Sequence, residues 1–220
     1  MSMNTIENSK PKLIGGVNVL FVMATRAEYL DELQQRFTPF ICQVGPVEAA
    51  IHMGEYLATN RQINLVVSLG SGGSQNLQQA HVYQISAVSY RDMDASAFGF
   101  PKGETPFSGL PAEVPIGIEI PSIPKANLST GANVVSGDAY SSVKADIVDM
   151  ETWAILRACM KADVPMIGLR GISDGAEPVA KYSDWTRYLA VIDQRLASAV
   201  DALEVALVEG NLKGFEKTPR

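Results

Sequence analysis

Val164-Pro-Met-Ile-Gly-Leu-Arg-Gly-Ile-Ser-Asp174 sets an apolar run of strand length against an internal Arg and a terminal Asp. Continuous apolar runs suit strands buried on both faces of a sheet. Open α/β sheets hold their ligands beyond the carboxyl ends of such strands. Arg170 therefore needs a buried partner, and Asp174 stands where ligands bind. Just upstream, Val148-Asp-Met-Glu151 is a second short apolar stretch that ends in a carboxylate.

Working outward, Val17–Ala24 and Ile63–Leu69 are further buried-strand runs, and Val82–Tyr90 reads as another strand. Short strands are expected at Phe40–Val44, Leu128–Val135 and Ile147–Met150. Thr25 can cap a helix to about Phe37, with Leu30, Leu33 and Phe37 on one stripe. Pro46 suits the first turn of a helix to about Asn60. Glu151 opens a helix to about Ala162. Ser183 and Asp184 can cap a final helix whose apolar stripe runs from Trp185 through Leu189, Ile192, Leu196, Val200, Leu203 and Leu207. Gly210 can end it. The glycines of Gly70-Ser-Gly-Gly73 let backbone approach a ligand, or simply make a turn. Residues 93–125 read as a long irregular excursion. Strand–helix alternation gives a three-layer α/β/α sandwich around a mixed, mostly parallel sheet. Residues 1–15 are expected as a loose extension, 16–213 as one domain and 214–220 as a tail.

The 220 residues are 46% hydrophobic and carry a formal charge of -6. That charge disfavours nucleic acid and anionic membranes, which reward basic faces. No run reaches the roughly 18 apolar residues of a membrane span. Two cysteines in a chain this long form no disulfide framework, so a cytoplasmic setting is expected. Two distant histidines and no Cys/His cluster predict no metal and no cofactor. Acid–base work then falls to carboxylates. Scattered carboxylates with an Arg fit glycosidic cleavage better than acyl transfer.

Six segments, in order, resemble the 5'-methylthioadenosine/S-adenosylhomocysteine nucleosidases of the nucleoside phosphorylase superfamily. They are Met23-Ala-Thr-Arg-Ala-Glu28, Leu69-Gly-Ser-Gly-Gly73, Arg91-Asp-Met-Asp-Ala-Ser-Ala-Phe-Gly-Phe100, Val135-Ser-Gly-Asp-Ala-Tyr140, Asp149-Met-Glu151 and Arg170-Gly-Ile-Ser-Asp174. The resemblance implies a nucleoside substrate and a role for each position. Asp174 would protonate the purine at N7, and Glu28 would activate water with Arg170 and Ser71 helping to place it. Glu151, within the Asp149-Met-Glu ribose motif, would accept the ribose hydroxyls, and Met150 would pack beneath the sugar. Gly72 belongs to the loop beside ribose and water. Tyr140 would stack on adenine, with the backbone of Ser141 or Ser142 at the purine edge. In the family, a partner subunit's loop closes the 5' pocket. Phe98 and Phe100, with Trp185 or Tyr188, are therefore expected as apolar wall in a homodimer.

The chain departs from the family where a hairpin usually precedes the second strand–helix junction, since only Gln34–Val44 fills that gap. It also has a proline-rich stretch where a helix usually follows the Ala-Phe-Gly loop. Related phosphorylases place an Arg two residues before the Gly-Ser, where this chain has Ser68, so water is the expected nucleophile. Phosphorolysis, cleavage of futalosine or another adenosyl nucleoside, and simple nucleoside binding are the alternatives.

Overall fold

In the computed structural model, residues 9–175 and 177–217 are described. Nine strands form one mixed sheet: β1 (Lys12–Ile14), β2 (Val17–Met23), β3 (Phe40–Ile41), β4 (Leu65–Gly73), β5 (Val82–Tyr90), β6 (Glu113–Pro115), β7 (Lys125–Thr130), β8 (Ile147–Asp149) and β9 (Met166–Asp174). The helices are α1 (Asp31–Gln34), α2 (Pro46–Thr59), α3 (Thr152–Ala162), α4 (Tyr182–Thr186) and α5 (Leu189–Glu209). β4 pairs in parallel with β2 and β9, and β7 in parallel with β5 and β8. β9 also pairs antiparallel with β5. A single antiparallel bridge, Gly73 to Val148, then joins β4 to β8 and curls the middle of the sheet into a ring.

Alternation along each strand splits the core in two. Val19, Phe21 and Met23 of β2 and Leu65, Val67 and Leu69 of β4 pack towards α1 and α5. Leu20, Val22 and Val66 point the other way, with Ala49, Met53 and Leu57 of α2 and Ile155 and Cys159 of α3. Successive side chains of a strand point to opposite faces, so apolar residues at nearly every position demand helices on both sides. That is the expected three-layer sandwich.

Several boundaries differ from the sequence-based expectation. Residues 1–8 and 218–220 lie outside the described residues, but Lys12–Ile14, expected as loose extension, pair antiparallel with β2. The helix expected over Thr25–Phe37 is broken. Thr25 does cap, accepting from the Ala27 N–H at 3.3 Å, but only a 3₁₀ turn (Arg26–Glu28) follows before the short α1. Its amide groups are instead satisfied by Asp193 of α5, which accepts from the backbone of Leu30 (3.1 Å), Glu32 (2.8 Å) and Leu33 (3.4 Å). The Gly70–Gly73 stretch is no turn; it is the end of β4. The final helix is interrupted at Arg187 and Tyr188, which separate α4 from α5.

Candidate active site

One cavity of about 630 Å³ opens at the carboxyl ends of the central strands, where ligands of α/β sheets bind. Its walls are built from residues at the end of a strand or just beyond it. Glu28 sits in the turn after β2, and Ser71, Gly72 and Gly73 end β4. Asp149, Met150 and Glu151 join β8 to α3, Ser173 and Asp174 end β9, and Trp185 comes from α4. Glu28, Glu151 and Asp174, distant along the chain, thus line one space.

Glu28 is 8% exposed. Its Oε1 accepts from the Ser71 N–H at 2.8 Å and the Ser71 hydroxyl at 2.5 Å. Burial raises its pKa, and the two Ser71 donors and the positive field of Arg170 offset that rise only in part. Glu151 occupies the N-cap position of α3, and its Oε1 accepts from the Gly45 N–H at 2.8 Å. Burial, with the like charge of Asp149 next, pushes its pKa up to about 8. Asp174 accepts from the Ser173 hydroxyl at 2.6 Å, and burial raises its pKa against that one opposing donor. Three carboxyls in one space therefore have three different environments.

Beneath them lies a buried polar lattice. Arg170 is 3% exposed and spends its donors inside the protein. Its Nε and Nη2 reach Asp149 Oδ2 at 3.2 and 3.0 Å; Nη1 reaches the Ser68 and Leu169 carbonyls; Nη2 also reaches the Ser68 and Thr152 hydroxyls. Asp149 in turn accepts from the Thr130 hydroxyl at 2.6 Å and from the Thr152 N–H at 3.0 Å. Removing either member of such a pair leaves an uncompensated buried charge, typically a loss of about 3–5 kcal/mol. This lattice holds the first turn of α3, and with it Glu151, at the sheet end.

The structure corrects several expected contacts. The Arg170 guanidinium is not among the residues that line the cavity, and its donors are taken up by protein partners. Asp149 reaches the wall, but both its oxygens are occupied by the lattice. Tyr140 does not face the cavity either. It lies in the 3₁₀ turn Gly137–Ser142 and packs inward on Val135 and Val148. Its hydroxyl has no hydrogen-bond partner among the described residues. A methyl group added at Gly73 would collide with that hydroxyl and lie 2.7 Å from Asp174 Oδ1, so a larger residue there would have to displace both side chains. Ser141 is exposed and bonds the Asp138 carbonyl at 2.7 Å, away from the wall. Phe98 is 84% exposed, and Phe100 packs edge-on against Phe107; neither lines the cavity of this chain. Trp185 does line it, yet not only as an apolar surface: its indole N–H donates to Ser71 Oγ at 2.8 Å.

Arg91 is a wall residue that the sequence-based roles left out. It follows β5 and donates to the Ser129, Asp149 and Asn133 carbonyls at 2.6, 3.0 and 2.7 Å. It is the first residue of the Arg91–Phe100 segment, so the motif pointed at its neighbourhood but gave it no role.

A mixed sheet covered on both faces and carboxylates at its strand ends are thus the two features to be compared with known proteins. The model of the Phosphorylase superfamily matches residues 126–203. A 5'-methylthioadenosine/S-adenosylhomocysteine nucleosidase of Baumannia cicadellinicola subsp. Homalodisca coagulata is 29% identical over 168 residues, 68% of this chain and 72% of its own length. A Haemophilus influenzae protein of the same name is 29% identical over 158 residues, 64% of this chain and 69% of its own. In sequence the chain is thus similar to 5'-methylthioadenosine/S-adenosylhomocysteine nucleosidases. Its fold is also that of a futalosine hydrolase mutant from Helicobacter pylori, with TM-score 0.73, 18% identity and coverage of 87% of this chain and 98% of that one. The Colwellia psychrerythraea nucleosidase solved with adenine gives TM-score 0.67 at 24% identity, covering 91% and 97%.

Proposed function

We propose that the protein hydrolyses the N-glycosidic bond of 5'-methylthioadenosine, S-adenosylhomocysteine or both, releasing adenine and the 5'-thio-ribose. The observation that carries this reading is the convergence of Glu28, Glu151 and Asp174 on one cavity, each in a different environment. Glycoside cleavage needs an acid for the leaving group and a base for water. Asp174 has one opposing donor and is the group kept protonated, so it delivers its proton to N7 and adenine leaves neutral. Burial raises the pKa of Glu28 as well, but two Ser71 donors and the Arg170 field oppose that rise where Asp174 has one opposing donor, so Glu28 is the better placed of the two to accept the proton of the attacking water. Such divergent environments are how paired carboxyls divide acid from base. Water adds at C1', the C1'–N9 bond breaks, and Glu151 supports the ribose hydroxyls as positive charge grows on the ring. Arg170 acts through Asp149 and Thr152 rather than on substrate.

The reading extends to a homodimer in which the exposed Phe98 loop covers the partner's 5' pocket. It also extends to a reducing cytosol, since both Cys42 and Cys159 are buried free thiols. One observation favours phosphorolysis as a second reading: Arg91 brings a cation to the wall. Adenine release from methylthioadenosine in phosphate-free buffer tests the first reading. Turnover only with added phosphate, yielding a ribose 1-phosphate, supports the second. Futalosine and 5'-deoxyadenosine in the same panel set substrate breadth, and tight binding without turnover of any of them would leave a nucleoside binder.

A further inference from the structure

Ser71 Oγ sits between two partners. It donates to Glu28 Oε1 at 2.5 Å and accepts from the Trp185 indole N–H at 2.8 Å. A serine hydroxyl has one proton and a free rotor. With an indole N–H, which can only donate, aimed at its oxygen, the remaining favourable direction for that proton is the Glu28 carboxylate. Ser71 N–H supports the same oxygen at 2.8 Å. Glu28 Oε1 is thus doubly occupied, which leaves Oε2 to take a proton. We propose that Trp185 is a positioning residue for the base: it locks the Ser71 rotor on Glu28 and joins the wall of the substrate pocket to the group that activates water.

The placement of Trp185 gives the lock a second property. α4 is a single short turn, fixed at its start by Asp184, which accepts from the Ala180 and Lys181 N–H groups at 3.0 Å each. Tyr182 packs edge-on against the indole, with ring centroids 5.2 Å apart. The indole bond to Ser71 ties this turn to the end of β4. A substituent that enters the cavity against Trp185 therefore presses on a side chain hydrogen-bonded one step from the base. A phenylalanine would supply similar apolar surface with no N–H, so the coupling belongs to tryptophan and not to wall shape alone. The charged groups around Glu28 are Arg170 of β9, Asp149 at the end of β8 and Glu151 at the start of α3; Asp174, Arg91 and Lys181 share its cavity.

The inference rests on Glu28 being the base, and its test separates the two claims. The first readout needs no catalysis. The Trp185 indole ¹H–¹⁵N resonance, assigned by its loss in Trp185→Phe, should move with pH as Glu28 ionises. That movement should vanish in Ser71→Ala and in Glu28→Gln. The second readout is the pH profile of kcat/KM, whose acid limb reports the free enzyme's base. Loss of one hydrogen bond acting on Glu28 should move that limb in Trp185→Phe to higher pH by roughly half to one unit. In a Ser71→Ala background the same substitution should move it no further, because the route through Oγ is gone. An indole resonance insensitive to Glu28, or a Trp185→Phe enzyme changed only in KM with an unmoved acid limb, would overturn the proposal. A titrating indole in a protein that releases no adenine would instead overturn the proposed function and leave the lock standing.

Discussion

Glu151→Gln should make the protein more stable and less active, and the gain should grow with pH. Glu151 is 8% exposed, beside Asp149 and within the field of Glu28. Its pKa rises from the ordinary 4.5 to about 8 in the folded protein. Between those values the unfolded chain gives up a proton that the folded chain keeps, so folding stability falls as pH rises through this window. At about 1.4 kcal/mol per pH unit, the interval corresponds to a loss of up to about 5 kcal/mol by pH 8. Gln removes that loss and can still accept from Gly45 N–H through its amide oxygen. The assay is urea unfolding of both proteins from pH 5 to 8.5, with m-values compared to check two-state behaviour. The curves should nearly meet near pH 5 and separate by several kcal/mol at pH 8, equivalent to about 10 °C in Tm. Adenine release by the Gln variant should fall most above pH 8, where wild-type Glu151 ionises and a neutral amide supports a cationic ring less well. A separation that stays constant with pH would show that folded Glu151 holds no extra proton, and the assignment of its environment would be wrong.

Asp174→Asn should fold normally and lose about 100-fold or more in kcat, as expected for a missing general acid; near-normal adenine release would remove Asp174 from that role. Glu28→Gln should keep affinity for a substrate analogue in calorimetry while hydrolysis collapses; free turnover would eliminate it as the base. Asp193→Ala removes the acceptor for the Leu30, Glu32 and Leu33 amides. It should cost about 2–3 kcal/mol in urea unfolding and raise amide exchange around Tyr29–Leu33; unchanged exchange there would mean the amides find other partners. Arg170→Met should destabilise the fold by about 3–5 kcal/mol, and a fully stable variant with selectively lost activity would put the guanidinium back in the reaction.

The strands were legible because burial on both faces forces apolar residues at consecutive positions, as in Val17–Met23 and Met166–Ile172. Arg170 was legible as a charge requiring a partner, but the identity of that partner was not, since Asp149 meets it only after β8 and β9 reach the same end of the sheet. The Leu30, Leu33 and Phe37 stripe suggested one helix. Its interruption depends on Asp193, 160 positions from Leu33, and no local pattern announces a cap supplied from so far. Gly70–Gly73 carries the composition of a turn, yet it stays in β4 because glycine there clears Ile147, Tyr140 and Asp174. The inward packing of Tyr140 was hidden for a related reason: aromatic residues near a site serve wall or core equally well, and only Val135 and Val148 decide between them. Arg91 was passed over because its partners are backbone carbonyls, which every residue type offers.

The contact between Asp193 and the Leu30–Leu33 amides has a consequence for synthesis. The turn bearing Glu28 leaves the ribosome early, but the carboxylate that secures the backbone next to it is translated some 160 residues later, in α5. At about 5–20 residues per second, that segment waits on the order of ten seconds or more for its anchor. A nascent chain halted before Leu189 would have every strand and all three carboxyls in hand, and would still be unable to assemble a working centre.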